Sequence, residues 1–197
     1  AAMDPCQRLL LEHGYAALHD AGLERVHLGG SLSGVFLGFS GSEFGELLAA
    51  TPAGSSVYAA TGASASIASG RLSYALGLHG PCVSHDTACS SALAALHVCT
   101  AALLRVECDR SASVGTKVLS EAANYGTAVA GMTSLLGRCH TFDGRADGYC
   151  RGEGCGALEG ERRTHSLRTR PQQRPQEEPD SCRTRRRLRV RGRRRPA

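Results

Sequence analysis

Apolar positions fall into short blocks separated by glycine, proline and polar residues. Behind Pro5, the residues Leu9, Leu10, His13, Ala17 and Leu18 follow helical spacing and give way to Gly22, which predicts a helix over 5–21. Val35-Phe36-Leu37-Gly38-Phe39 is a short apolar run between glycines and predicts a buried strand. Residues 62–77 are dominated by small side chains and predict a closely packed helix, closed by a turn at Gly77, Gly80 and Pro81. Cys82-Val83-Ser84-His85 reads as a short strand. The clearest helix spans 89–105, where Leu93, Leu96, Thr100, Leu103 and Leu104 share one face. Ser111–Leu119 reads as a further strand, and 137–156 as a Gly-rich loop. Alternating strands and helices imply a layered α/β fold. No internal repeat is present.

Charge divides the chain. The net charge is +5, from 23 Lys and Arg against 18 Asp and Glu. Residues 161–197 hold 14 Arg and 4 acids, hence +10, which leaves 9 − 14 = −5 for residues 1–160. All nine aromatic residues precede position 161. The tail has too little apolar surface to offset its ordering entropy and is expected to be disordered. Its clusters Arg185-Arg186-Arg187 and Arg193-Arg194-Arg195 suit an acidic partner or nucleic acid, but no aromatic residue is there to stack on a base. Such Arg- and Pro-rich text is also what an out-of-frame reading of a GC-rich message yields, and that origin is preferred. Nucleic acid is therefore not the expected partner.

Nine cysteines, an odd number with no CxxC, predict a reduced, cytoplasmic protein rather than a disulfide framework or a zinc site. Cys82 and Cys99 read as small core residues. Ala1-Ala2-Met3-Asp4-Pro5 has no secretory pattern, although this start leaves organelle import open. The uncharged stretches 47–70 and 87–104 carry too many polar groups for a membrane span.

The candidate chemistry lies in His85-Asp86-Thr87-Ala88-Cys89-Ser90-Ser91, between an apolar strand and an apolar helix. A cysteine in the first turn of a helix meets unpaired backbone N–H groups and the positive end of the helix dipole. Both favour the thiolate, the reactive form. A strand–turn–helix junction can present such a sulfur at the end of a sheet, with Asp86 or Thr87 as the helix cap. An inert buried cysteine fits this spacing equally well.

Family resemblance separates the two. Gly70-Arg71-Leu72-Ser73-Tyr74-Ala75-Leu76-Gly77-Leu78-His79-Gly80-Pro81, then Asp86-Thr87-Ala88-Cys89-Ser90-Ser91 and Ala95-Leu96-His97, strongly resemble the β-ketoacyl synthase (ketosynthase) domains of modular type I polyketide synthases. Three blocks agree: Met3-Asp4-Pro5 with 7–12, Tyr58-Ala59-Ala60-Thr61-Gly62, and Gly137-Arg138-Cys139 through Glu153-Gly154. The resemblance covers residues 3–156 and is absent from 161–197. It implies an incomplete thiolase-like fold of αβαβα layers over 1–160, without its first strand, followed by the tail 161–197. It implies Cys89 as the nucleophile and acyl acceptor, its backbone N–H forming part of the oxyanion hole. Acyl thioesters of acyl carrier protein or coenzyme A would be the substrates, acyl carrier protein the partner, and a homodimer the assembly; no cofactor or metal is implied. An inactive thiolase-like remnant with a binding tail is the alternative.

Departures from the family matter. Its histidine motifs His-Gly-Thr-Gly-Thr and Lys-Ser-Asn-Ile-Gly-His occur nowhere in the sequence, so this polypeptide is expected to lack condensation activity. Cys6 stands where the family has Gln, and His85 where it has an apolar residue; a Cys89–His85 dyad is not favoured. His97 reads as a packed structural group. Arg151-Gly152-Glu153-Gly154-Cys155-Gly156 lacks the ending of a phosphate-binding loop, so it reads as a tight backbone loop. Asp143, Asp147 and Glu153 read as structural loop residues.

Overall fold

The computed structural model describes residues 2–40 and 44–162. The elements run α1 (Pro5–Asp20), α2 (Arg25–Leu28), β1 (Ser33–Phe39), α3 (Phe44–Ala49), α4 (Ala59–Ala63), α5 (Ala65–Leu76), β2 (Cys82–His85), α6 (Ser91–Leu104), β3 (Arg110–Lys117), α7 (Glu121–Val129) and β4 (Gly154–Glu161). The four strands form one sheet in the order β2-β1-β3-β4. The first three are parallel, and β4 runs antiparallel to β3. Of the tail 161–197, all but Glu161 and Arg162 lies outside the described residues, and with it both Arg clusters.

The β1 pleat builds both layers. Val35, Leu37 and Phe39 face α1 and α5, where they pack with Leu10, Leu18, Leu72 and Val114. Phe36 points the other way, into a smaller core with Ala95, Cys99, Ala102 and Cys108. Helices thus cover both faces of a sheet whose central strand is buried along its whole length.

Two polar anchors fix the first layer. Asp4 caps α1 by accepting from the Cys6 N–H at 2.7 Å, with Pro5 in the first turn. Gln7, fully buried, donates to the backbone oxygens of Thr61 (3.3 Å) and Ser64 (3.0 Å) and accepts from Arg71 Nε (2.5 Å). At the end of α5, Gly77 takes the left-handed conformation (φ 66°) that lets Leu78 N–H return to Ser73 O at 2.9 Å.

Several expectations change. The segment 62–77 is two helices, α4 and α5, separated at Ser64, whose extended backbone ends one and caps the next. The helix over 89–105 buries Ser91, Ala95, Cys99 and Ala102 rather than the leucine face; Leu93 is 69% exposed and Leu104 79%. The reason is the sheet beneath it. On that face β1 and β3 present Gly38, Ser111, Ser113 and Gly115, which admit a helix only through its small-residue side. Cys99 is buried as expected, its sulfur 3.0 Å from Ser111 Oγ. Cys82 and His97 are exposed instead of packed: one lies on the edge strand, the other on the outer side of α6. The Gly-rich segment gives way to a strand, β4, from Gly154. Among the described residues no helix is long and apolar enough to cross a membrane.

Candidate active site

Cys89 lies at the mouth of the α6 side of the sheet. β2 delivers the chain to Asp86, and a single 3-10 turn, Ala88–Ser90, leads into α6 at Ser91. Cys89 therefore occupies the turn before the α-helix, one step earlier than the spacing predicts. The capping differs too. Asp86 Oδ1 accepts from Ala88 N–H at 3.0 Å within the turn, and neither Asp86 nor Thr87 caps α6. Ser91 performs the reverse clasp: its hydroxyl accepts from Thr87 N–H at 2.9 Å and donates to Ala88 O at 2.6 Å. Ser90 Oγ donates to Thr87 O at 2.8 Å and lies 2.9 Å from Thr87 Oγ1.

This network holds Ala88 at φ 55°, a left-handed conformation that costs a residue with a side chain about 1–2 kcal/mol. The bend leaves Cys89 exposed. Such local strain at a strand–turn–helix junction is what an elbow needs to present a nucleophile.

Cys89 lines a cleft of about 1390 Å³. Gly38 and Gly115, paired across β1 and β3, form part of its floor without side chains. Leu93 and Leu96 of α6 supply apolar walls, with Met132 and Tyr149 on the opposite rim. The N-terminal part of the leucine face, Leu93 and Leu96, thus lines this cleft. A glycine inside a strand is the sequence signal for such a close approach, and Gly38 and Gly115 carry it without standing among the candidate site residues.

His85 stands on β2, paired in register with Gly38. Its Nε2 is buried and has no hydrogen-bond partner among the described residues, so no dyad with Cys89 is formed through that atom. The acids of the Gly-rich block serve the backbone and neighbouring side chains. Glu153 accepts from Leu119 N–H at 2.7 Å. Asp147 accepts from Leu135 N–H at 3.3 Å, and a hydrogen bond from Ser134 holds its carboxyl below the usual range. Asp143 pairs with Arg145 at 2.6 Å, which lowers its carboxyl likewise. Arg151 donates to Asn124 Oδ1 at 2.8 Å, tying the loop to α7. Among the described residues no group of three or more His, Cys, Asp or Glu is placed to hold a metal ion.

Residues 1–163 match the family described as "Beta-ketoacyl synthase, N-terminal domain". The chain is 45% identical over 159 residues to a mycocerosic acid synthase-like polyketide synthase of Mycolicibacterium smegmatis, covering 80% of this chain and 8% of that protein. It is 43% identical over 159 residues to a spectinabilin polyketide synthase system protein of Streptomyces orinoci, covering 80% of this chain and 7% of that one. Among solved structures, the ketosynthase from module 6 of the bacillaene synthase of Bacillus subtilis superposes with a TM-score of 0.71 at 37% identity, over 80% of this chain and 26% of that one. The oxazolomycin ketosynthase domain from Streptomyces albus gives a TM-score of 0.71 at 33% identity, over 82% and 29%. The chain thus spans a small part of these relatives' length.

Proposed function

Because the chain belongs to the β-ketoacyl synthase family, we propose that it acts in polyketide assembly by accepting an acyl group on Cys89. The observation that carries this reading is exposed Cys89 on a strained turn, lining a large, partly apolar cleft. The acyl donor is a thioester of acyl carrier protein or coenzyme A. The Cys89 thiolate attacks the thioester carbonyl, and the carbonyl electrons move to oxygen. The resulting oxyanion is met by the Cys89 backbone N–H. The turn supports that role because its closing bonds use Ser90 N–H to Thr87 O and Ser91 N–H to Ala88 O. Collapse breaks the bond to the donor sulfur, which leaves as a thiolate and takes a proton. The product is an S-acyl cysteine, formed with no metal or organic cofactor.

Chain extension by decarboxylative condensation is the family's second step, and its histidine motifs are absent from these 197 residues. The acylation step is the one for which this chain supplies the residue, Cys89. The exposed side chains of Tyr125, Val129, Leu135 and Leu136 on and after α7 support a self-associating surface, in keeping with a homodimer. The test is incubation with an acyl thioester followed by peptide mass mapping. One acyl group on Cys89, lost in Cys89→Ala, supports the assignment. Acylation at another residue, or labelling unchanged in Cys89→Ala, would overturn it.

A further inference from the structure

Cys139 and Cys150 flank an eleven-step excursion of the Gly-rich block, and the fold brings their ends together. Cys150 N–H donates to Cys139 Sγ at 3.3 Å, and the Cys139 thiol lies 3.9 Å from Cys150 O. Both residues are exposed. The approach is held from outside the pair. Tyr149, next to Cys150, is pinned by Ser134 N–H to Tyr149 O and Tyr149 N–H to Met132 O, both 3.1 Å. Gly137, two residues before Cys139, returns its N–H to Ser134 O at 3.1 Å. One short segment, 132–134, therefore anchors both cysteine-bearing strands of the loop. Gly148 permits it: a Cβ there would lie 2.5 Å from Ser134 N. The Cys139 sulfur thus sits against the backbone of Cys150, and both residues are open to solvent.

We infer that Cys139 and Cys150 are a redox modification site that closes to an intraloop disulfide in the presence of a small-molecule disulfide. The Cys139 thiolate attacks the small disulfide, forming a mixed disulfide and releasing one small thiolate. The Cys150 thiolate then attacks the Cys139 sulfur and releases the second. Two protons and two electrons leave the cysteines, and the small disulfide becomes two thiols. Cys150 lines the same cleft as Cys89 while Cys139 does not, so the bond ties a wall of that cleft to the loop behind it. The inference does not depend on Cys89 being acylated.

The sequence provides a clean readout. Trypsin cuts after Arg138, Arg145 and Arg151, placing the two cysteines in separate peptides, 139–145 and 146–151. The full chain is equilibrated with reduced and oxidised glutathione, quenched by alkylation and mapped without reduction. The expected result is a 139–145/146–151 cross-linked peptide, absent in Cys139→Ser and in Cys150→Ser. Its oxidised-to-reduced ratio in the folded protein should exceed that in concentrated urea by about tenfold or more, the mark of a pair held together by the fold. Equal ratios in folded and unfolded protein, or pairing of either cysteine elsewhere, would overturn it.

Discussion

Gly38 of β1 meets the backbone of Ala92 in α6 so closely that a Cβ on Gly38 would overlap the Ala92 N and Cα atoms. Gly115 of β3 repeats the approach, its would-be Cβ 2.6 Å from Ala92 Cβ. This contact sets the height of α6 above the sheet, and with it the position of the Cys89 turn. Gly38→Ala should destabilise the fold by about 1–3 kcal/mol, the usual cost of overpacking a closed interface. It should also slow acylation of Cys89 more than its effect on the folded fraction explains. Urea unfolding alongside single-turnover acylation separates the two.

Ser91 clasps the turn from the helix side through Thr87 N–H and Ala88 O. Ser91→Ala leaves both groups without that partner at a partly buried site, a loss of about 1–3 kcal/mol. Relaxation of the strained Ala88 offsets some of this. The expected outcome is therefore a modest fall in unfolding free energy with a larger fall in the rate at which iodoacetamide or an acyl thioester labels Cys89. Ser91→Thr, which keeps the hydroxyl, should recover part of the rate.

Burial beside the α1 cap, followed by the neighbouring Asp4 charge, raises the Cys6 thiol from 9.0 to about 11. A thiol raised in the folded state favours folding below its unfolded value. The favourable contribution is complete below about pH 9 and is lost as the pH climbs toward about 11. Unfolding free energy should fall over that window, and Cys6→Ala should fall less steeply. Equal slopes in the two proteins would contradict the assignment. Cys99, Cys108 and Cys155 are raised in the same direction by burial, so the comparison must be made against the parent chain.

Strong local signals in the sequence carried much of this architecture. Pro5 and the leucines behind it mark α1, and the glycine-bounded run Val35–Phe39 marks the central strand. The weak points share one physical cause: small residues hide their burial. α7 buries no residue and carries Gly126 in its middle, and its larger apolar side chains, Tyr125 and Val129, are exposed, so no core-facing stripe marks it. β4 alternates partly buried Cys155 and Ala157 with Gly154 and Gly156, and its start reads as a loop because three of its eight positions are glycine. α6 shows a leucine face in sequence, but two glycines on strands far along the chain decide which face is buried. The position of Cys89 between strand and helix was legible locally. Its cleft was not, because the floor comes from glycines and the opposite rim from segments after α7.

The central claim is that Cys89 alone among the cysteines accepts an acyl group because the turn and cleft present it. The most direct measurement is intact-mass and peptide mapping of the folded chain after exposure to an acyl-coenzyme A. The folded chain should carry one acyl group, located on Cys89, absent in Cys89→Ala and lost from the wild type in urea. Acyl groups spread over the exposed Cys82, Cys139 and Cys150, or labelling unchanged in Cys89→Ala, would contradict it.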